Sequence, residues 1–309
     1  MSKTALLFAG QGAQAVGMGR DLAEAFPSAK EWVERANTAL GYDLASICFS
    51  GPEGELTRTE NAQPGIFLVS WIALQLLLER KPALAFQAAA GLSLGEFTAL
   101  AAAKAMGFED CLKVVRQRGR FMQEACEATH GGMAAIIGLD EGPTRELCAQ
   151  AGVVLANLNC PGQLVISGAT EKITQACDLA LARGARRALP LPVAGAYHSP
   201  LMASAQPKLR GELAAVSIKA PALTVVSNVT GQPHQGVETI RARLVEQVTA
   251  SVLWESSMRW LLGQGFTSFI ELGPGTALTG FMKRIDKSAQ MLNVADTDSL
   301  EQTLAALGA

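Results

Sequence analysis

Gly91-Leu92-Ser93-Leu94-Gly95-Glu96 imposes a spacing of small residues that few backbones satisfy. It reads G-x-S-x-G. Residues 85–90 ahead of it are apolar enough for a buried strand, and residues 96–106 after it are rich in Ala and Leu and suit a helix. Strand, tight turn and helix is the setting that a nucleophile elbow requires. Glycines two positions either side of Ser93 remove side chains where such a turn packs on its neighbours. The serine is then held in strained backbone at the mouth of a sheet, its hydroxyl outward. The N–H of Leu94 falls at the helix start, facing the place where an oxyanion would form. The plainer reading is a glycine-bounded turn that contains a serine by chance, because the bare pattern is short. The remaining chain has to arbitrate.

Along the chain, strands alternate with helices on both sides of one interruption. Residues 4–9 form an apolar strand that ends in Gly10-Gln11-Gly12-Ala13-Gln14, followed by Gly17-Met18-Gly19. That spacing fits neither the dinucleotide fingerprint nor the lysine-containing phosphate loop. A loop at the carboxyl edge of a strand, where open α/β sheets bind ligands, fits better. Helical periodicity covers residues 21–40. A buried helix is expected over 64–80 with Pro64 in its first turn, where the missing N–H costs nothing. A further helix over 110–126 carries Arg116, Arg118 and Arg120.

The pattern then becomes βαββαβ: strand 132–139, helix 141–151, strands 153–159 and 163–167 around Cys160-Pro161-Gly162, helix 170–183 and strand 185–191. This is the split order of a ferredoxin-like unit. Afterwards come a helix over 199–215, a strand over 223–227, a polar turn over 232–236 and mostly helix over 239–260. Strand 267–272, helix 276–285, strand 291–294 and helix 300–307 follow. The expected fold is α/β: an α/β-hydrolase-like large subdomain with a mostly parallel sheet, from residues 1–127 and 195–309, and an inserted ferredoxin-like small subdomain over 128–194.

Composition narrows the function classes. The chain is 49% hydrophobic and 17% charged, which favours a buried core over disorder. Its net charge is −2 with no basic block, so a nucleic-acid partner is not expected. Six cysteines without a C-x-x-C pair read as reduced core residues of a cytoplasmic protein. Residues 66–78, the greasiest run, are broken by Ser70 and Gln75 and too short to span a bilayer, so no membrane partner is expected. Ser2-Lys3-Thr4 leads straight into the first strand, and no signal peptide is read there.

A serine hydroxyl needs a base. The three histidines are His130, His198 and His234. His130 precedes Gly131-Gly132 at the border of the insertion. His234 falls in a polar turn and reads as solvated. His198 lies in Val193-Ala194-Gly195-Ala196-Tyr197-His198-Ser199-Pro200, a small-residue loop where the chain returns to the main sheet, and is the expected partner of Ser93. No acidic residue between 93 and 198 sits at a clear strand end. Either the acid lies elsewhere or a backbone carbonyl orients the imidazole. Arg118 reads either as one of a solvated face shared with Arg116 and Arg120, or as a clamp for one carboxylate.

Five segments, Gly10-Gln11-Gly12-Ala13-Gln14, Gly91-Leu92-Ser93-Leu94-Gly95-Glu96, Arg116-Gln117-Arg118-Gly119, Gly195-Ala196-Tyr197-His198-Ser199-Pro200-Leu201-Met202 and Glu271-Leu272-Gly273-Pro274-Gly275, occur in one order. In that order the chain resembles malonyl-CoA:acyl-carrier-protein transacylases over essentially its whole length. The resemblance implies malonyl transfer from malonyl-CoA, through an ester on Ser93, to the phosphopantetheine thiol of a holo acyl carrier protein, in fatty-acid or polyketide synthesis. It implies His198 as base, the N–H groups of Gln11 and Leu94 as oxyanion hole, Arg118 on the malonyl carboxylate, and the main-chain carbonyl of Gln247 behind His198. Malonyl-CoA is then a substrate; no metal or other cofactor is implied, and a monomer is expected. Ala9, Ala13 and Leu92 depart from the usual proline, serine and histidine, and Ala250-Ser251 stands where Asn-Pro is common. Gly91-Leu92-Ser93-Leu94-Gly95-Glu96 is also similar to editing acyl hydrolases of trans-acyltransferase polyketide systems, whose members tend to lack the arginine. An acyl-thioester hydrolase using Ser93 and His198 is therefore the alternative. A catalytically silent docking subunit and a phosphate-binding protein using the Gly10–Gly19 loop are weaker, given the intact Ser, His and Arg and the missing lysine.

Overall fold

In the computed structural model, which describes residues 3–308, two sheets carry the chain. Strand β1 (Lys3–Phe8) is followed by helices α1 (Arg20–Ala25), α2 (Pro27–Leu40), α3 (Leu44–Ser50), α4 (Glu53–Thr57) and α5 (Thr59–Arg80). Then come β2 (Ala88–Gly91), α6 (Gly95–Ala102) and α7 (Phe108–Glu127). The second sheet is built from β3 (Gly131–Ile137), α8 (Glu141–Ala151), β4 (Val154–Cys160), β5 (Gln163–Ala169), α9 (Thr170–Ala182) and β6 (Arg187–Pro190). The chain returns through a 3₁₀ turn (Pro200–Met202) to α10 (Ala205–Ala215), β7 (Thr224–Val225), α11 (Val237–Glu246) and α12 (Trp254–Gly263). Strand β8 (Phe266–Leu272), α13 (Ala277–Ile285), β9 (Gln290–Val294) and α14 (Thr297–Ala306) complete it.

The first sheet is five-stranded in the order β7-β2-β1-β8-β9, and all its pairings are parallel. The second is four-stranded in the order β4-β5-β3-β6 and antiparallel. That order, with α8 and α9 as crossovers, is the ferredoxin-like arrangement. The architecture is thus α/β, a parallel sheet between helices and a second sheet with its own apolar core around Ile136, Leu147, Ile166 and Ile173. Parallel strands covered on both faces carry near-continuous apolar runs, and Ala5 to Phe8 and Ala88 to Ala90 are fully buried.

The two sheets are also stitched together away from the chain crossovers. Val252 donates to Ala156 O at 2.8 Å and accepts from Leu158 N at 3.0 Å, so residues 250–252 run along the edge of β4. Ser251 Oγ adds a 2.5 Å bond to Leu155 O. These demands stop the helix expected over 239–260: α11 ends at Glu246 and α12 begins at Trp254. The helix expected from residue 199 likewise starts late, because Ser199 Oγ accepts from Leu201 N at 3.2 Å and closes a separate turn. Helix α5 begins earlier than expected, so Pro64 lies inside it rather than in its first turn. Gln123 of α7 accepts from Thr59 N at 3.2 Å and anchors that earlier start. Gly119 lets the helices meet, since a Cβ there would stand 2.5 Å from Thr59 O. Helices α3 and α4 lie where the sequence pattern predicts no element. Helix α5 is long and apolar enough to cross a membrane, yet 83% of its most apolar window is buried inside the protein. All six cysteines are buried free thiols.

Candidate active site

The elbow forms where β2 gives way to α6. Ser93 sits at φ 52°, in the left-handed region that side chains adopt at a cost. The flanking glycines permit it. A Cβ at Gly91 would lie 1.9 Å from Gly95 C, and one at Gly95 would lie 2.2 Å from Phe8 O. Asn228 braces the turn, accepting from Ser93 N at 2.6 Å and donating to Gly91 O at 2.8 Å. Because Phe8 pairs with Gly91 across parallel strands, the loops leaving β1 and β2 emerge side by side. A Cβ at Gly10 would meet Leu92 O at 2.5 Å, so Gln11 is delivered beside Ser93. Among the described residues, the N–H groups of Gln11 and Leu94 have no protein acceptor. Donors left open beside a serine are what an oxyanion hole requires. The Gln11 side chain is held between Gln63 Nε2 at 3.2 Å and Tyr197 OH at 3.3 Å, and Tyr197 OH meets Thr59 Oγ1 at 2.5 Å.

His198 also has a left-handed backbone, at φ 56°. Its loop presses against α7 and β3, because a Cβ at Gly195 would stand 2.4 Å from Cys126 Sγ and one at Gly131 2.7 Å from Ala196 Cβ. The ring places Nε2 3.0 Å from Ser93 Oγ and Nδ1 2.8 Å from the main-chain O of Gln247. A carbonyl can only accept, so Nδ1 carries the proton and Nε2 is left free to take one from Ser93. Burial, then the positive charge of Arg118, push the imidazole pKa down to about 4, against a small upward pull from the Gln247 carbonyl. The base is therefore neutral at pH 7. Among the described residues, that carbonyl and no carboxylate meets Nδ1.

Arg118 is 1% exposed. Residues two apart on a helix point to opposite sides, which corrects the reading of one shared solvated face. Arg116 lies over the Tyr42 ring at 4.9 Å and Arg120 pairs with Glu124 at 2.9 Å, while Arg118 turns inward. Among the described residues its hydrogen-bond acceptors are all neutral: Gln63 Oε1 at 2.7 Å, Gln247 Oε1 at 2.8 Å and Ser93 Oγ at 3.0 Å. Its Nε has no acceptor among the described residues. Burial lowers its pKa to about 10, with the charge of Glu96 acting against the fall. The group stays a cation at neutral pH. A buried cation without a contacting anion, beside a nucleophile, is built to receive one from a ligand.

Sequence reading brings Ser93, His198, Gln11, Leu94, Arg118 and Gln247 forward, and the fold gathers all six at the carboxyl edge of the parallel sheet. It passes over Gln63, Asn228, Glu96 and His234. Gln63 falls just ahead of the helix expected over 64–80. His234 is not solvated: its side chain is 1% exposed, and Nε2 lies 2.8 Å from Glu96 Oε1. The polar turn folds back on β7, with His234 N donating to Val225 O at 3.0 Å and Val226 bridging Pro233, which carries the ring inward. Leu92 packs on the apolar cluster around Val226, Val252 and Trp254.

Comparison with known proteins agrees with this geometry. A family profile described as an acyl transferase domain matches residues 5–300. The malonyl CoA-acyl carrier protein transacylase of Bacillus subtilis (strain 168) is 41% identical over 312 residues, covering 99% of this chain and 98% of its own. The protein of the same name from Escherichia coli (strain K12) is 41% identical over 289 residues, 92% of this chain and 93% of its own. Among solved structures, a malonyl-transacylase in complex with its type II PKS acyl-carrier protein superposes with a TM-score of 0.95 at 38% identity, covering 99% of this chain and 100% of that one.

Proposed function

The chain belongs to the acyl transferase family, among its malonyl-CoA:acyl-carrier-protein transacylases, and from that membership we propose how its own residues carry out malonyl transfer. The malonyl carboxylate enters first as a charge. It pairs with the Arg118 fork in place of the Ser93 hydroxyl, while Gln63 and Gln247 keep hold of the guanidinium. This fixes the thioester carbonyl over Ser93 and frees Ser93 Oγ of its hydrogen bond from Arg118. His198 Nε2 takes the hydroxyl proton as Oγ attacks the carbonyl carbon. The tetrahedral oxyanion is held by the N–H groups of Gln11 and Leu94. Collapse expels the CoA thiolate, which takes the proton back from His198, and malonyl remains as an ester on Ser93.

The second half reverses the first. The phosphopantetheine thiol of the acyl carrier protein gives its proton to His198 and attacks the ester. The ester C–O bond breaks as the new thioester forms, and Ser93 Oγ takes the proton from His198, which restores the free enzyme. One observation carries the reading: the same buried guanidinium that has no anion of its own donates to the nucleophile. Such a site discriminates by charge, a neutral acyl group leaving the cation buried and unpaired. One chain holds the whole set of side chains, which supports a monomeric enzyme. The product feeds fatty-acid or polyketide synthesis.

Intact-protein mass tests this after mixing with malonyl-CoA, acetyl-CoA and a longer acyl-CoA, with a chase by holo acyl carrier protein. The expected result is a malonyl adduct that persists in buffer, moves to the carrier and is absent in Ser93→Ala. Indiscriminate loading, with release as free acid when no carrier is present, would instead describe a hydrolase.

A further inference from the structure

Gln247 serves two masters from one position. Its main-chain oxygen holds His198, and its side-chain Oε1 accepts from Arg118. A primary amide has a donor end and an acceptor end, and nothing in the amide itself decides which faces the guanidinium. Turned over, Gln247 would aim its NH₂ at the N–H groups of Arg118, donor against donor. Its orientation must be imposed from the other end.

Glu96 imposes it. The carboxylate is fully buried, and Oε2 accepts from Gln247 Nε2 at 2.7 Å and from Asn228 N at 3.0 Å. An oxygen that already accepts from a main-chain N–H also accepts from Gln247, so it selects the NH₂ end of the amide and leaves Oε1 for Arg118. The same oxygen fixes the main chain of Asn228, whose side chain braces Ser93. The other oxygen, Oε1, is met by His234 Nε2 at 2.8 Å, so both oxygens of the buried group are satisfied. Glu96 also brings a negative charge to within one intervening amide of Arg118 without touching it. Direct contact would fill the fork that a substrate needs.

We propose that Glu96 and His234 are positioning residues, which orient the Gln247 amide and thereby hold Arg118 ready for a substrate carboxylate. This rests on the malonyl-transfer reading above. The role predicts an effect on charge discrimination, which mere support of the fold would not produce. Glu96→Gln keeps the shape and removes both the charge and the one-way hydrogen bonding.

The test is the single-turnover rate of Ser93 acylation by malonyl-CoA and by acetyl-CoA, in wild type and Glu96→Gln, with the unfolding midpoint of each. Malonyl loading should fall by about ten- to a hundredfold, the loss expected when a charge-assisted hydrogen bond is replaced by a neutral one. Acetyl loading should fall less, so the malonyl-to-acetyl ratio drops. His234→Leu should lower the ratio in the same direction, and it decides the matter if Glu96→Gln does not fold. Equal losses for both acyl groups, or an unchanged ratio in a folded variant, would overturn the role. Failure of the wild type to load malonyl at all would sink the underlying function, and the role with it.

Discussion

Arg118 holds its charge where water does not reach, and the selector role proposed for it follows from that burial. On that proposal, Arg118→Ala should deprive the malonyl carboxylate of its cationic partner, while an acetyl group should lose nothing. Leaving one member of a buried pair alone costs about 3–5 kcal/mol. At 1.4 kcal/mol per decade, the malonyl-to-acetyl ratio of kcat/KM should fall by roughly 10²- to 10³-fold or more. Steady-state transfer to holo carrier protein with the two thioesters measures it. The guanidinium also acts on the base. Transfer needs His198 neutral, and its pKa is lowered to about 4, first by burial and then by Arg118. The acid limb of kcat/KM should therefore lie well below the ordinary imidazole value of about 6.5, with activity lost only as pH falls toward the depressed value. Removing the positive neighbour stabilises the imidazolium, so in Arg118→Ala, read with acetyl-CoA, the limb should move up. It should not reach the ordinary value, because burial remains.

At the scale of elements, the elbow depends on how closely β1, β2 and α6 approach. Gly95→Ala puts a methyl 2.2 Å from Phe8 O, a backbone atom of the central strand that cannot swing aside. The variant should lose about 1–3 kcal/mol by thermal unfolding, as overpacked cores do, and should load malonyl poorly because Ser93 moves with the turn. This element is legible in the sequence because its cause is local: glycines at fixed spacing, a strand before, a helix after. The βαββαβ insertion is legible for the same reason, its periods and its turn at Cys160-Pro161-Gly162 lying within one stretch of chain. The break between α11 and α12 is not, because a distant strand edge takes the hydrogen bonds that helical periodicity assigned locally. His234 looks like a surface residue by its neighbours, yet its partner Glu96 is 138 positions away. Ser93 and His198 could be named from chemistry and loop composition. The carbonyl behind His198 could not, since every residue has one; Gln247 is legible through the family resemblance alone.

At the scale of the molecule, the site lies where the two sheets are stitched. Gln247 ends α11, and within a few residues the chain is pairing with β4 of the second sheet. The orientation of the base is thus tied to the placement of the insertion. The unpaired Arg118 has a further consequence, for folding. The native protein is short of one anion; the unfolded chain, whose guanidinium is hydrated, is not. Any small carboxylate that fits the fork binds the folded form alone and pulls the equilibrium toward it. Malonate at a hundred times its Kd should add about 2.7 kcal/mol to the unfolding free energy. Thermal scans with malonate, acetate and chloride at matched ionic strength would show it, with the rise in midpoint greatest for malonate and missing in Arg118→Ala. On the proposed reading, the substrate's carboxylate counts as the last group of the folded structure, supplied from solution and withdrawn at each turnover.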